Sequence, residues 1–580
     1  MARKVLILPF HIDQQTPDRA YLSEGILEEL IDIVTELGEL IPLGRNLSLF
    51  LDNHPKPGAE LKKEFGVEYI IEGSLKKREQ SYLFSLRLID ANDESPIKSL
   101  KTPVELSNWT HALQESTSQM LSAVSSSRQA PLERNLEGNA RELYLKGIYH
   151  WNRYTHEEMK RAISFFQKSI KHDASFAPAY AGLANAYIVI AVMGYDLPGP
   201  AFDAALKNVN LALGLNNKHS ESYLCAAFLN IFYQREYARA KVNLDVAYRL
   251  NQNNPRILQL YSFYYAYQQD FNLSEKHCTD ALKLDPLSIP IYAMLVRLAI
   301  FKKEYGKGLE IIEATRAIED PCPPIMDLKG IIHILSGNVD LAISTLEKSL
   351  KLSPDNLLTY AYLIYALTTS GFSEEAFELK QQLEETVTTK RTGNYDYAMA
   401  IVKLAEQDLD GFFLHVNAAL ELGHTGIIGD VYNNPLYSSI RKDIRYLGFL
   451  KKNKLGATPP VKTRQPSRSI TLNAATKESL TLDPQDIAFI KGDGNYSTVH
   501  WFESSLLKQK ILRITLKQLE VQLADISQIQ RVHKSYMVNL NERLSISGNA
   551  RGFFIESEFY PIRIPISRSR SKEICEMIAS

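Results

Sequence analysis

The sequence predicts a multidomain α+β protein: an N-terminal α/β domain, a central all-α solenoid and a mostly-β domain at the C-terminus. Three observations carry this. Short apolar runs and helically spaced ones share the first 125 residues, a helix-pair pattern then recurs with a period near 34, and the last fifth turns to strand formers broken by turn residues. At 580 residues the chain is also too long for one hydrophobic core.

In the first domain, placed at 1–125, Lys4-Val5-Leu6-Ile7-Leu8-Pro9-Phe10 has the composition of a buried strand. Leu22, Ile26, Leu30, Ile33, Val34 and Leu37 follow at helical spacing. Residues 40–43 read as a second strand, 59–65 as a short helix, 67–75 with 82–89 as a hairpin and 108–124 as a closing helix. Glu24, Glu28 and Glu29 could be taken for metal ligands, but Glu24 and Glu28 are first of all the exposed face of an amphipathic helix. The pieces Leu8-Pro9-Phe10, Tyr21-Leu22-Ser23-Glu24-Gly25-Ile26-Leu27-Glu28-Glu29-Leu30 and Phe65-Gly66-Val67-Glu68-Tyr69-Ile70-Ile71-Glu72-Gly73-Ser74 resemble the TolB-like N-terminal α/β domain. That resemblance implies a sensory or interaction role and brings no catalytic signature.

Residues 126–138 have linker composition. Beyond them Leu215-Asn216, Leu250-Asn251, Leu284-Asp285 and Leu352-Ser353 mark the ends of helix pairs at steps of 35, 34 and 68. Small residues in Ala177-Pro178-Ala179-Tyr180-Ala181-Gly182-Leu183-Ala184 let paired helices approach closely. The array, placed at 139–440, resembles the tetratricopeptide (TPR) family as far as about Leu422, in some seven or eight units. Such a solenoid implies a concave face that receives a protein or peptide partner. The tyrosines Tyr261, Tyr264, Tyr265 and Tyr267 could line a groove, but packing between paired helices explains them first. Cys322, among prolines, reads as a small residue in a rigid turn. Residues 441–467 are basic and proline-rich and are read as a linker.

In the last domain, 468–580, Asp486-Ile487-Ala488-Phe489-Ile490 and Tyr496-Ser497-Thr498-Val499-His500-Trp501 read as a hairpin about Gly492-Asp493-Gly494-Asn495. Thr515-Leu516-Lys517-Gln518 has the order of a capping box, with Leu519 and Leu523 on the face of Leu516. Gln530 to Asn539 sets basic and hydrogen-bonding side chains beside strand formers, and Ile564-Pro565-Ile566-Ser567-Arg568-Ser569-Arg570 ends a strand and starts a helix. These four pieces resemble the LytTR family of bacterial DNA-binding domains: an I-x-x-I-x-G-x-G-N-Y hairpin, a T-L-K-x-L-E helix, an H-[RK]-S-Y-x-V-N strand and an I-P-x-S-R finish. The resemblance implies loops pressed into successive major grooves of double-stranded DNA. Carried over by position, those loops fall at Asn495, at Lys534 with Ser535, and at Ser569 between Arg568 and Arg570. Arg531, Lys534, Arg568 and Arg570 would position the domain on phosphates; Asn495, Lys534 and Ser569 would meet base edges. Lys534 replaces the arginine common in the family and lacks its bidentate fork. His533 is read as structural. Self-association on repeated half-sites is a further implication of the resemblance alone.

Formal charge is nearly balanced, with 66 basic and 67 acidic side chains, but residues 441–580 hold 23 and 13 of them. A basic tail on an acidic body suits a polyanion partner. Cys225, Cys278, Cys322 and Cys575 lie far apart, with no paired metal-ligand spacing, and point to a reducing compartment without a zinc site. No apolar run reaches membrane-spanning length, so a cytoplasmic protein is expected. No catalytic motif survives inspection, Gly492-Asp493-Gly494 being turn glycine rather than a phosphate loop, and no cofactor or metal is expected. The sequence therefore points to a sequence-specific, non-enzymatic transcription regulator whose array and N-terminal domain sense a partner or ligand. The alternative is a TPR scaffold or adaptor that binds proteins without DNA.

Overall fold

The computed structural model describes residues 3–579 except 15, 17–18, 39, 79–80, 106–108, 125–137, 317, 319–321, 387–392, 457–469, 475, 477, 504–505, 525, 527, 541–543, 550–551 and 558–559. The chain forms two compact units, Met1–Pro460 and Val461–Ser580. The expected linker at 126–138 lies outside the described residues except for Gly138, which opens a helix.

The first unit begins with a mixed sheet in the order Leu40–Pro42, Arg3–Ile7, Val67–Arg78, Ser81–Asp90, Pro96–Val104. Arg3–Ile7 runs parallel to both neighbours, as a crossover through helix Arg19–Leu37 requires. That strand is covered on both faces. Val5 and Ile7 share a core with Ile26, Leu30, Trp109 and Leu113, while Leu6 meets Leu47, Leu51 and Leu61. The helix Arg45–Asn53 and the edge strand Pro96–Val104 were not foreseen in the sequence. The strand is mostly polar and carries Pro96 and Pro103, a pattern that reads as loop but is tolerated at an edge.

Among the described residues eight helix hairpins follow, their first helices starting at Gly138, Ala177, Ser220, Pro255, Ile289, Pro323, Leu357 and Gly393. From Pro255 to Leu357 the step is 34 throughout. The turn inside the hairpin keeps the same period: Arg235 (φ 56°), Gln269 (58°), Lys303 (61°), Gly337 (75°) and Gly371 (86°) all adopt left-handed backbone. Two repeats supply glycine there and three bear the cost of a side chain. Polar contacts join the first helices of successive hairpins: Asn185 Nδ2 donates to Glu221 Oε1 at 2.7 Å, and Arg256 reaches Glu221, Asn185 and the Trp151 ring. The tyrosines of helix Pro255–Tyr267 act in packing: Tyr261 and Tyr267 are buried, and Tyr265 stacks on His277.

The N-terminal domain is docked on this array at two places. Helix Arg19–Leu37 lies against Gly138–Trp151, where buried Glu29 accepts from Arg141 Nε at 2.9 Å and Glu28 from Asn152 Nδ2 at 3.0 Å. Glu24 pairs with Arg153 at 3.1 Å, and Arg45 bridges Glu24 at 2.5 Å and Glu28 at 3.0 Å. Glu24 and Glu28, expected on an exposed face, are therefore part of the interface together with Glu29. Burial pushes the Glu28 carboxyl up, opposed by Arg45, Asn152 and Arg256. A polar stripe that faces solvent and one that faces a charged neighbour read alike in sequence.

The second footing is the turn after the fourth hairpin. Gly44 N–H donates to Leu284 O at 2.7 Å, Asn46 Nδ2 to Asp285 Oδ2 at 2.9 Å and Lys4 Nζ to Lys283 O at 3.1 Å. A Cβ on Gly44 would lie 2.6 Å from Asp285 Cγ, so only glycine allows this approach. Exposure confirms the dock: Leu284 is 8% exposed, whereas its repeat equivalents Leu215, Leu250 and Leu352 are 45%, 40% and 49%.

At the other end the segment read as a basic linker from 441 is largely structured. Gly426–Asn433, the 3-10 turn Pro435–Lys442 and helix Ile444–Lys452 fold back along the array. Asn433 Nδ2 donates to Ala266 O at 3.2 Å, Arg297 Nη1 to Asp430 Oδ1 at 3.2 Å and Tyr237 OH to Asn453 O at 3.2 Å. Asp443 caps the last helix through Arg445 N, and Tyr446, Phe449 and Leu455 join the core of the array. Apolar side chains at helical spacing outweigh the basic composition that suggested a linker. The rest of that linker, from 457, lies outside the described residues. Cys225, Cys278 and Cys322 are buried without a disulfide, and burial pushes the Cys278 thiol up to about 12.

Two stability outcomes follow from this geometry. In denaturant unfolding of the full chain, Gly337→Ala should cost about 1 kcal/mol, while Lys303→Gly should add about 0.5 kcal/mol, since relief of strain is partly offset by the freedom of glycine in the unfolded chain. Equal losses from both would contradict the backbone assignment. Burial also raises the Asp285 carboxyl to about 6. The folded protein thus holds a proton there that an ordinary carboxyl releases near pH 4, and this contribution is present below that pH and lost as pH rises through 6. Asp285→Asn should therefore stabilise the chain by on the order of 2 kcal/mol near neutral pH, the gain vanishing toward about pH 4. A gain independent of pH would refute the buried-carboxylate account.

Candidate nucleic-acid interface

The second unit is built on a five-stranded antiparallel sheet in the order Leu506–Leu512, Tyr496–Glu503, Ile487–Asp493, Tyr536–Asn539, Ile529–His533. Its central strand is buried on both faces. Ile487 and Ile490 pack with Leu516, Leu519 and Leu523, whereas Phe489 packs with Val532, Ile564, Ile566 and Ile574. Helix Leu516–Gln522 starts with the expected capping box: Thr515 accepts from Gln518 N, and Gln518 Oε1 accepts from Thr515 N at 3.1 Å.

This sheet brings the three sequence-predicted loops to one end. Strand Ile487–Asp493 turns at Gly494 and Asn495 into Tyr496, the positive φ of 58° falling on glycine. Ile529–His533 turns at Lys534 and Ser535 into Tyr536, which pairs with Lys491, and Gly492 N–H donates to Ser535 O at 2.9 Å. The two turns therefore stand side by side, two strand spacings or about 10 Å apart. The third, Arg568–Arg570, joins the far edge: Ser567 N–H donates to Val532 O at 2.8 Å, and Arg570 Nη1 to Arg531 O at 2.5 Å. A register shift between Arg531 and His533 breaks the plain ladder just before the Lys534 turn.

The seven candidate residues divide into two groups. Asn495, Lys534, Arg568 and Ser569 are exposed, and their side chains make no hydrogen bond or ion pair among the described residues. Arg531 and Arg570 are held by their side chains, and Ser535, half-buried, by its main chain. Arg531 Nη1 pairs with Glu520 Oε2 at 2.7 Å and Nη2 donates to Lys534 O at 2.9 Å; Arg570 meets Glu573 through Nε at 3.1 Å and Nη2 at 2.8 Å. The Ser535 carbonyl and N–H are both engaged, the latter donating to His533 Nδ1 at 3.2 Å. His533 is half-buried, and burial together with the Lys534 charge lowers its pKa, which keeps Nδ1 free to accept. Sequence reasoning missed Glu520 and Glu573. The i, i+3 spacing of Arg570 and Glu573 was available as a signal, but the Glu520–Arg531 pair joins a helix to a strand and had none.

Among the described residues no cluster of His, Cys, Asp and Glu could hold a metal ion, and no helix is long and apolar enough to cross a membrane.

A putative adenylate cyclase of Rhizobium meliloti is 26% identical over 86 residues, which covers 15% of this chain and 15% of that protein. Solved structures of similar fold include PilF of Pseudomonas aeruginosa (TM-score 0.29, 15% identity, 37% of this chain and 92% of that one) and yeast Tom70 (0.37, 15%, 59% and 78%). A tetratricopeptide repeat protein from Parabacteroides merdae is a further one (0.25, 14%, 52% and 98%). Residues 477–579 match the LytTr DNA-binding domain. The second unit of this chain thus carries, over 477–579, a LytTR DNA-binding domain.

Proposed function

We propose that the chain is a sequence-specific transcription regulator without catalytic activity, working in the cytoplasm, in which the docked N-terminal domain and repeat array receive a signal and the LytTR domain reads DNA. One observation carries the DNA half: two uncommitted cations, Lys534 and Arg568, and two uncommitted polar side chains, Asn495 and Ser569, share one sheet end. Their turns are spaced to follow the DNA backbone and to admit short polar groups to a major groove. Lys534 and Arg568 would meet phosphates, and Asn495 and Ser569 base edges, with Lys534 able to do both.

The sensing half rests on the dock. The chain's own Glu24, Glu28 and Glu29 engage the first hairpin, and residues 426–455 engage the third, fourth and fifth. A protein or peptide that binds there has to displace one of these segments, and this displacement is the proposed input. The N-terminal domain in this reading is of TolB-like type.

The test is selection of the full chain on a pool of random duplexes, followed by a salt titration. Enrichment of a short motif, with affinity falling steeply with salt, supports the regulator; weak binding without a motif at low salt supports a protein-binding adaptor instead. Lys534→Ala should weaken binding to every duplex and reduce the slope of log affinity against log salt by about 1, one phosphate contact. Asn495→Ala should leave that slope unchanged and cost about 1–3 kcal/mol on the selected motif only. Unchanged affinity in Lys534→Ala would remove that residue from the interface.

A further inference from the structure

Besides the exposed Asp493 of the first turn, two carboxylates, Glu520 and Glu573, stand beside a surface read as DNA-binding, where a negative charge repels phosphate. Each is joined to an arginine whose remaining N–H groups grip main chain. Arg531 spans from Glu520 Oε2 (2.7 Å) to the Lys534 carbonyl (2.9 Å), and so ties the strand Ile529–His533 to the turn that follows it. Arg570 spans from Glu573, through both Nε and Nη2, to the Arg531 carbonyl (2.5 Å), and touches Gln530 Oε1 at 3.5 Å. The planar guanidinium suits this use, since its donors point in fixed directions and can serve a carboxylate and a carbonyl together. The two staples meet at residue 531, between the Lys534 turn and the Arg568–Arg570 turn.

We propose that Glu520 and Glu573 are positioning residues of the DNA surface: they hold Arg531 and Arg570 as backbone staples that fix the Lys534 turn against the Arg568 turn. Phosphates are then met by Lys534 and Arg568, and Arg531 and Arg570 stay with the protein. The inference rests on the DNA-binding reading above, and one arm of its test does not. Glu520 is 43% exposed, so its replacement leaves the core intact.

The experiment compares the full chain with Glu520→Gln, Glu573→Gln, Arg531→Gln and Lys534→Ala. Affinity for the selected duplex and for an unrelated one is measured against salt, and amide hydrogen exchange over 529–539 is measured without DNA. Plain electrostatics predicts tighter binding to both duplexes when a glutamate is neutralised. Positioning predicts a loss of about five- to thirtyfold on the selected duplex, with the unrelated duplex bound at least as tightly and the salt slope kept. Arg531→Gln should likewise keep the slope that Lys534→Ala reduces. Faster exchange at 533–536 in Glu520→Gln is expected in the free protein. Unchanged exchange there overturns the proposal whatever the DNA result, and so does a slope loss in Arg531→Gln equal to that in Lys534→Ala. A wild-type chain that selects no motif rejects the DNA reading, while the exchange arm still decides whether the staple exists.

Discussion

The first unit depends on the pairing of Glu29 with Arg141. Glu29 lies on a helix that must also present Leu22, Ile26, Leu30 and Ile33 to the sheet, so its carboxylate is carried wherever that helix packs. Leaving it uncompensated under the array would cost several kcal/mol, because a buried charge loses its hydration. Arg141, on the first helix of the array, supplies the countercharge, and Arg45 and Arg153 do the same at the rim for Glu24 and Glu28. The pairing adds little net attraction over an apolar contact of the same area. Its effect is on choice: Arg141 and Arg153, both of the first hairpin, meet Glu29 and Glu24 together, and the pairing selects that place for the domain. Gly44 sharpens that choice at the second footing, where any larger residue would strike Asp285.

Periodicity was the legible part of the sequence. The step of 34 between leucines at the ends of helix pairs reappears in the helix starts and in the left-handed turn residues, because all three report one repeating packing arrangement. The dock was not legible, since amphipathicity records only which side of a helix is polar. Residues 441–455 show the same weakness in reverse: a basic run suggested solvent, yet Tyr446, Phe449 and Leu455 within it are buried. In the N-terminal sheet, hydrophobic strands were found and the polar edge strand was not, since an edge buries little and leaves little pattern.

In the DNA-binding domain, the four motifs gave the elements and their order, and the sheet supplied what spacing along a chain cannot. Asn495 and Lys534 are 39 positions apart in sequence and neighbours across two strand pairings. What the motifs did not separate is a basic residue that is available from one that is already engaged. Arg531 and Lys534 look equally suited to phosphate in a list of residues; Glu520 and a main-chain carbonyl distinguish them. The same holds for Arg568 and Arg570, two positions apart with opposite roles in the turn.

A stack of helical hairpins is by itself a spring: each unit touches only its neighbours, and the whole stretches or twists by small additions. The N-terminal domain bears on the first hairpin and on the turn after the fourth, so it lies as a strut across coils that also meet directly where Arg256 reaches the Trp151 ring. With the strut in place, flexing of the first four hairpins works against its two footings as well as against the Arg256 contacts. A quasi-linear object thereby gains a mechanical threshold, below which it is stiff and above which half its length is released at once.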